Sequence, residues 1–385
     1  NVISKAPDFA EAHNNLANAL RRDGRIIEAQ AALRRGLETN PDSADLNTNL
    51  GLIHFDTGEF DKAVAEYDRV IAAHPNHRRA PFLRAFPLLA LGRFEEGWTA
   101  YLRRPRIAPI ADQLHRTLLD EDLSAATMVL RSEGSLAEDL HFLRFVPELA
   151  RRGARVLISP GPQAAMLAQA TDDIAGVAGQ DDVSAALNVA LGDLPHLLGM
   201  SEAQQIPPAL KLEPEKSRVG TITARLQAAG PAPYIGVSWR QAGRSGTAPG
   251  PDAMPLEALG QALGVLGGTV ILLQQGAASD APARIEAGGG ATVVDFSDLM
   301  TEPADTLALM AAIDHCITFP DLGLHLRLAA GGTAQVLVPW PTGYLFAGTE
   351  PASPWFPGCP LHRAGPGRSW EGAMESLAKA LGTDG

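Results

Sequence analysis

Apolar positions fall into two regimes along the chain. Between residues 10 and 109 they recur at steps of three and four, the spacing of helices that each bury one face, with Gly or Pro closing the runs. From Thr127 onward, short apolar runs alternate with helical stretches, as in parallel sheets covered on both faces. Met128–Arg131, Arg155–Ser159, Asp173–Val177 and Leu187–Ala190 read as strands. Helices are predicted over Glu138–Arg152 and Pro162–Ala170 between them, and over Lys216–Leu226 after them. The run Ala228–Pro233 (AAGPAP) marks a break. A second strand series follows at Tyr234–Trp239, Thr269–Leu273, Thr292–Phe296, Ile313–Phe319 and Ala334–Val338. Its helices are predicted at Leu256–Leu266, Pro303–Ile313 and Leu322–Ala330. The pattern predicts an α-helical array followed by two Rossmann-like α/β halves.

The first regime is a repeat. Pro7, Pro41, Pro75 and Pro109 stand 34 residues apart, and Ala29, Ala63 and Gly97 keep the same interval. So do Leu33, Tyr67 and Tyr101, and Gly24, Gly58 and Gly92 in the turns. The period and residue types match tetratricopeptide repeats, in which small residues let two helices approach and large ones fill the gap. The units run Ala10–Ser43, Ala44–His77 and Arg78–Pro109, with Pro81 and Pro87 interrupting the first helix of the third. Asn1–Pro7 reads as the tail of a preceding repeat, and a chain opening at Asn1 reads as part of a longer one. Such arrays present a concave face to a protein or peptide. Asn14, Asn18 and Asn47 on first helices are candidate peptide-binding amides, or equally a solvated polar face.

Charge and cysteine usage narrow the function. The net charge of −12 disfavours nucleic acid as a partner, since phosphate backbones select clustered Lys and Arg. Two cysteines without a CxxC or ligand-spaced His imply a reduced, cytoplasmic setting without structural zinc. No apolar run is long enough to predict a membrane span. The expected layout is a repeat array over 1–109, a linker over 110–126 and two α/β domains over 127–230 and 231–385.

The candidate chemistry begins at Met128–Ser159, a strand, a small-residue loop, a helix and a strand. Glu138 and Asp139 sit at the helix start. They favour the helix dipole there, or one of them is a general base at the mouth of an open α/β sheet.

A resemblance sharpens these readings. GRFEEGW (Gly92–Trp98), SEGSLAEDLHFLRFVPELARRGARVLI (Ser132–Ile158), TVILLQQG (Thr269–Gly276), DTLALMAAIDHCIT (Asp305–Thr318), HLRLAAGGTAQVLVP (His325–Pro339) and SPWFP (Ser353–Pro357) occur in that order. They resemble consecutive blocks of bacterial tetratricopeptide-repeat glycosyltransferases, whose GT-B module is related to heptosyltransferases and O-linked N-acetylglucosamine transferases. The resemblance implies an α + α/β chain with a GT-B fold, a nucleotide-sugar donor, no metal cofactor and inverting transfer to a protein acceptor, such as flagellin or another surface protein. Where that family has Gly-Leu-Gly-Asp, this chain has Ser135-Leu136-Ala137-Glu138, which makes Glu138 the first candidate base and Asp139 the alternate. The family's Asp-Thr-Ser/Gly and following His correspond to Asp321, Gly323 and His325, implied to face the donor phosphates. Gln274 and Gln275 stand where Gln-Lys is common, and Arg240 and Arg244 are the cations of the loop after Trp239. Tyr344, near Trp340, Phe346 and Trp355, is a candidate to stack on a base or sugar. The drifted signatures leave a second reading open, a catalytically degenerate module serving as a repeat-based scaffold.

Overall fold

The computed structural model describes residues 10–240, 254–348, 350–365 and 369–383. The chain forms two compact units.

The first unit is the repeat array. Its helices are α1 (Ala10–Arg22), α2 (Ile26–Thr39), α3 (Ala44–Asp56), α4 (Phe60–Ala73), α5 (Ala80–Leu83), α6 (Ala85–Ala90) and α7 (Phe94–Tyr101). The periodic columns acquire physical content. Gly51 gives way to the buried ring of Tyr67, which a Cβ at that position would approach to 2.7 Å. Gly24, Gly58 and Gly92 each turn the chain at positive φ (77, 78 and 73°), where a side chain would be strained. The first helix of the third repeat splits into α5 and α6 at Arg84, as Pro81 and Pro87 predict.

Residues 192–206 and 341–349 also belong to this unit, although they follow strands of the other one. Arg104 donates to the fully buried Asp193 at 2.6 Å, and Arg116 lies 3.4 Å from the other carboxylate oxygen. The ring of Tyr344 packs 5.6 Å from that of Phe86. Neither segment announces its allegiance by local pattern.

The second unit contains two wholly parallel sheets. The first has the order β3-β2-β1-β4, with β1 (Thr127–Arg131), β2 (Arg155–Ile158), β3 (Gly176–Val177) and β4 (Leu187–Ala190). Its helices are α8 (Leu136–Leu143), α9 (Val146–Arg151), α10 (Ala164–Gln169) and α11 (Gln180–Ala185), and the short α12 (Leu194–Leu197) lies in the returning segment of the repeat unit. The second sheet has the order β10-β9-β8-β5-β6-β7. It comprises β5 (Tyr234–Val237), β6 (Thr269–Leu272), β7 (Thr292–Asp295), β8 (His315–Thr318), β9 (Gln335–Val338) and β10 (Leu361–Arg363). Around it run α13 (Lys216–Ala229), α14 (Leu256–Leu263), α15 (Ala281–Gly289), α16 (Pro303–Ala312), α17 (Leu322–Ala329) and α18 (Glu371–Thr383). The central strands are buried on both faces, which is why their sequences read as unbroken apolar runs. This is the expected order, a helical array and then two α/β halves.

Three local expectations change. The helix predicted over Glu138–Arg152 is two helices, because Pro147 has no N–H to continue α8 and Arg144 turns its side chain into the interior. The strand predicted over Asp173–Val177 shortens to Gly176–Val177. Helix α15 lies in an Ala- and Gly-rich stretch without an apolar stripe. It packs backbone to backbone on α14, where a Cβ at Gly260 would land on the carbonyl of Ile285 and one at Gly288 on that of Glu257.

Candidate functional site

Helices α8 and α17 leave the carboxyl ends of β1 and β8, one from each sheet, and meet side by side. Carboxyl ends of parallel strands are where open α/β sheets bind ligands.

On α8 the two acidic candidates have separate tasks. Ser135 caps the helix, accepting from the Glu138 amide at 3.3 Å, while the Glu138 carboxylate accepts from the Ser135 amide at 3.1 Å. This reciprocal capping box holds Glu138 at the helix start. Asp139 is buried, and Ser132 Oγ donates to its Oδ2 at 2.5 Å. Burial raises the Asp139 pKa above the usual carboxylate range, with the Ser132 hydrogen bond working in the opposite direction. Of the two, Asp139 has the desolvated, oriented carboxylate that proton abstraction asks for.

Behind Asp139 lies His141, buried, with neither ring nitrogen hydrogen-bonded among the described residues. Its ring centroid is 5.9 Å from that of His325 on α17 and 5.0 Å from that of Trp355. Burial, aided by the nearby Arg144 cation, holds both imidazoles neutral: His141 well below its ordinary value and His325 down to about 3. A neutral His325 is a hydrogen-bonding group and not a cation for phosphate. Asp321 caps α17 by accepting from the Gly323 amide at 2.9 Å, and burial pushes it up to about 6. Gly323 lies against Asp321 and Thr318 and is itself buried. Ser238 and Thr318 hydroxyls join the ends of β5 and β8 at 2.8 Å.

At the neighbouring strand ends, the Gln274 side-chain oxygen accepts from the amides of Trp239 (3.1 Å) and Arg240 (2.8 Å). The Arg240 guanidinium in turn donates to the carbonyls of Gln275 and Gly276. Gln274 thus acts first as a splint for the loop that presents Arg240. Arg244 lies outside the described residues.

Tyr344 packs on Phe86 within the repeat unit. In the array, Asn47 is buried and donates to the carbonyls of Pro41 and Ser43 at 2.9 and 3.0 Å, so its amide is engaged by its own helix start. Asn14 accepts from Asn49 at 2.5 Å, and Asn18 lies on the same helix as Asn14. Sequence reasoning passed over Ser132, His141 and Arg144. It named Asp139 as the alternate to Glu138, and the signal for its burial is its place between Leu136 and Leu143 on one face of α8.

A family model described as Tetratricopeptide repeat matches residues 14–78 and 48–107. Residues 14–107 are tetratricopeptide repeats. The chain as a whole is 26% identical to Protein FlbA of Caulobacter vibrioides over 446 aligned residues, covering 97% of this chain and 73% of FlbA. Among solved structures it is similar to glycosyl transferase family 9 from Veillonella parvula (TM-score 0.46, 10% identity, 69% of this chain and 100% of that one). It is also similar to a mutant of Thermobaculum terrenum O-GlcNAc transferase (TM-score 0.27, 14% identity, 97% and 89%). A mutant of MamA matches at a TM-score of 0.23 and 21% identity, over 28% of this chain and 64% of that one. Among the described residues no helix is long and apolar enough to cross a membrane, and no three His, Cys, Asp or Glu side chains gather as metal ligands.

Proposed function

We propose that this chain is a glycosyltransferase that moves a sugar from a nucleotide donor to a hydroxyl of a protein acceptor, with inversion and without a metal. One observation carries the reading: a buried carboxylate, Asp139, oriented by Ser132 on the helix after β1, and a capped helix start at Asp321 after β8, on two helices that pack together.

In this reaction the acceptor oxygen attacks the anomeric carbon as the bond to the diphosphate oxygen breaks. The acceptor proton passes to Asp139, whose carboxylate is made more basic by burial than an exposed one. The departing diphosphate is met by Arg240, with Arg244 the second cation of the same loop. Glu138 serves the capping box and Gln274 the loop. The tetratricopeptide repeats hold the acceptor polypeptide, a surface protein such as flagellin if the sequence resemblance extends to substrate.

The drifted positions favour a second reading, a binding scaffold without catalysis. Glu138 is occupied by its own helix, and Gln275 brings no charge where a lysine would. Isothermal titration with UDP, GDP, CMP and their sugars separates the two. Saturable binding of one nucleotide is expected of the transferase; a folded protein that binds none of them is the scaffold.

A further inference from the structure

Arg144 is the most deeply buried cation among the described residues of the α/β unit, 1% exposed, and it comes from the break between α8 and α9. Its Nε donates to the carbonyl of His141 at 2.8 Å, in the turn below. Its Nη1 donates to the carbonyls of Trp355 at 2.9 Å and Pro207 at 3.4 Å, 211 and 63 residues away in sequence. The guanidinium carbon also lies 5.6 Å from the ring centre of Trp355 and 5.9 Å from that of Phe356.

The turn that receives it is the SPWFP segment, closed by Trp355 and Phe356 amides donating to Ser353 at 3.2 and 3.0 Å. That turn touches both helices of the candidate site, with Trp355 beside His141 and Phe356 5.7 Å from His325. A planar fork with five donors and a stackable face reaches three separate backbone segments at once, which the single ammonium of lysine does not.

We propose that Arg144 is a positioning residue: by tying α8 to the SPWFP turn and to the backbone at Pro207, it fixes the separation of Asp139 on one sheet's helix from Asp321 and His325 on the other's. The geometric part stands on these contacts alone; its effect on turnover rests on the glycosyltransferase reading above.

The test is a distance measurement in the full chain. Spin labels at Arg151→Cys on α9 and Ala287→Cys on α15 sit on exposed positions of the two halves, while Cys316 and Cys359 are buried. Pulsed electron resonance should give one narrow distance for the parent protein and a shifted or broadened distribution when Arg144→Met is added. Arg144→Lys, which keeps the charge, is read in its place if the methionine variant does not fold. An unchanged distribution in either folded variant overturns the proposal. Kinetically, turnover should fall about a hundredfold, as a displacement of about 1 Å can produce, while nucleotide affinity stays within about threefold. Equal losses in proportion to the unfolded fraction would mean a stability role only and overturn the positioning role. If the parent protein binds no nucleotide, the transferase reading fails and the distance result still decides the geometry.

Discussion

His141 and His325 stack edge to face across the two halves of the α/β unit, ring centres 5.9 Å apart, with the Arg144 cation close to both. The pair packs only while uncharged, and this makes the fold sensitive to acid. A histidine whose folded pKa is depressed contributes stability above its unfolded value, about 6.5, and loses it as pH falls toward the folded value. For His325 that window runs from 6.5 down to about 3, and for His362 down to about 4. Asp321, raised to about 6, runs the other way and gains stability as pH drops from above 6 to below 3.8. Asp139, also raised by burial, works in the same direction as Asp321, and three histidines against these two carboxyls leave a net loss. Denaturant unfolding at pH 5 should give a stability lower than at pH 7 by a few kcal/mol, each tenfold difference in proton affinity between folded and unfolded chain being worth about 1.4 kcal/mol. His325→Gln should flatten the pH dependence.

The two acids at the start of α8 should separate in an assay of sugar transfer. Asp139→Asn keeps the shape and the Ser132 contact but removes the proposed base, and turnover should drop by about a thousandfold. Glu138→Ala removes one half of the capping box, lowering stability by about 1 kcal/mol, with turnover changed less than about tenfold. The reverse ranking would return the base to Glu138.

The α14–α15 interface tolerates no side chain at its crossing. Gly260→Ala sets a methyl against the Ile285 carbonyl and should cost about 3 kcal/mol in urea unfolding. Gly288→Ala, against the Glu257 carbonyl, should cost a similar amount, and the double variant less than the sum, since either change already forces the helices apart.

Asp193 is fully buried between Arg104 and Arg116. Asp193→Ala strands the Arg104 cation in the interior and should lower stability by about 3–5 kcal/mol. Limited proteolysis should then cut within residues 192–206 faster than in the parent chain.

Much of this was legible in advance. The 34-residue columns named residues that let repeat helices touch, and Tyr67, one of the large residues of those columns, packs its ring against Gly51. Apolar runs marked the buried strands for the same reason. Helix α15 escaped because glycines make its contact, and glycine carries no hydrophobic signal. The acid pair was visible at α8, but ranking its members required noticing that Asp139 shares a face with Leu136 and Leu143. Arg144 was invisible: a charged residue reads as surface unless its distant carbonyl partners are known.

The repeat unit is assembled from three stretches, 1–118, 192–206 and 341–349, so the chain passes between the units repeatedly before it ends. It is therefore not a bead on a string. A truncation after residue 118 would discard Asp193 and leave the Arg104 guanidinium facing an empty socket. It would likewise uncover Phe86 where Tyr344 had stacked. Grafting this array onto another protein, or exchanging it for a different set of repeats, would need both inserts carried along. Recombination at a single linker would be selected against, and the repeats and the α/β halves would have to evolve as one inheritance.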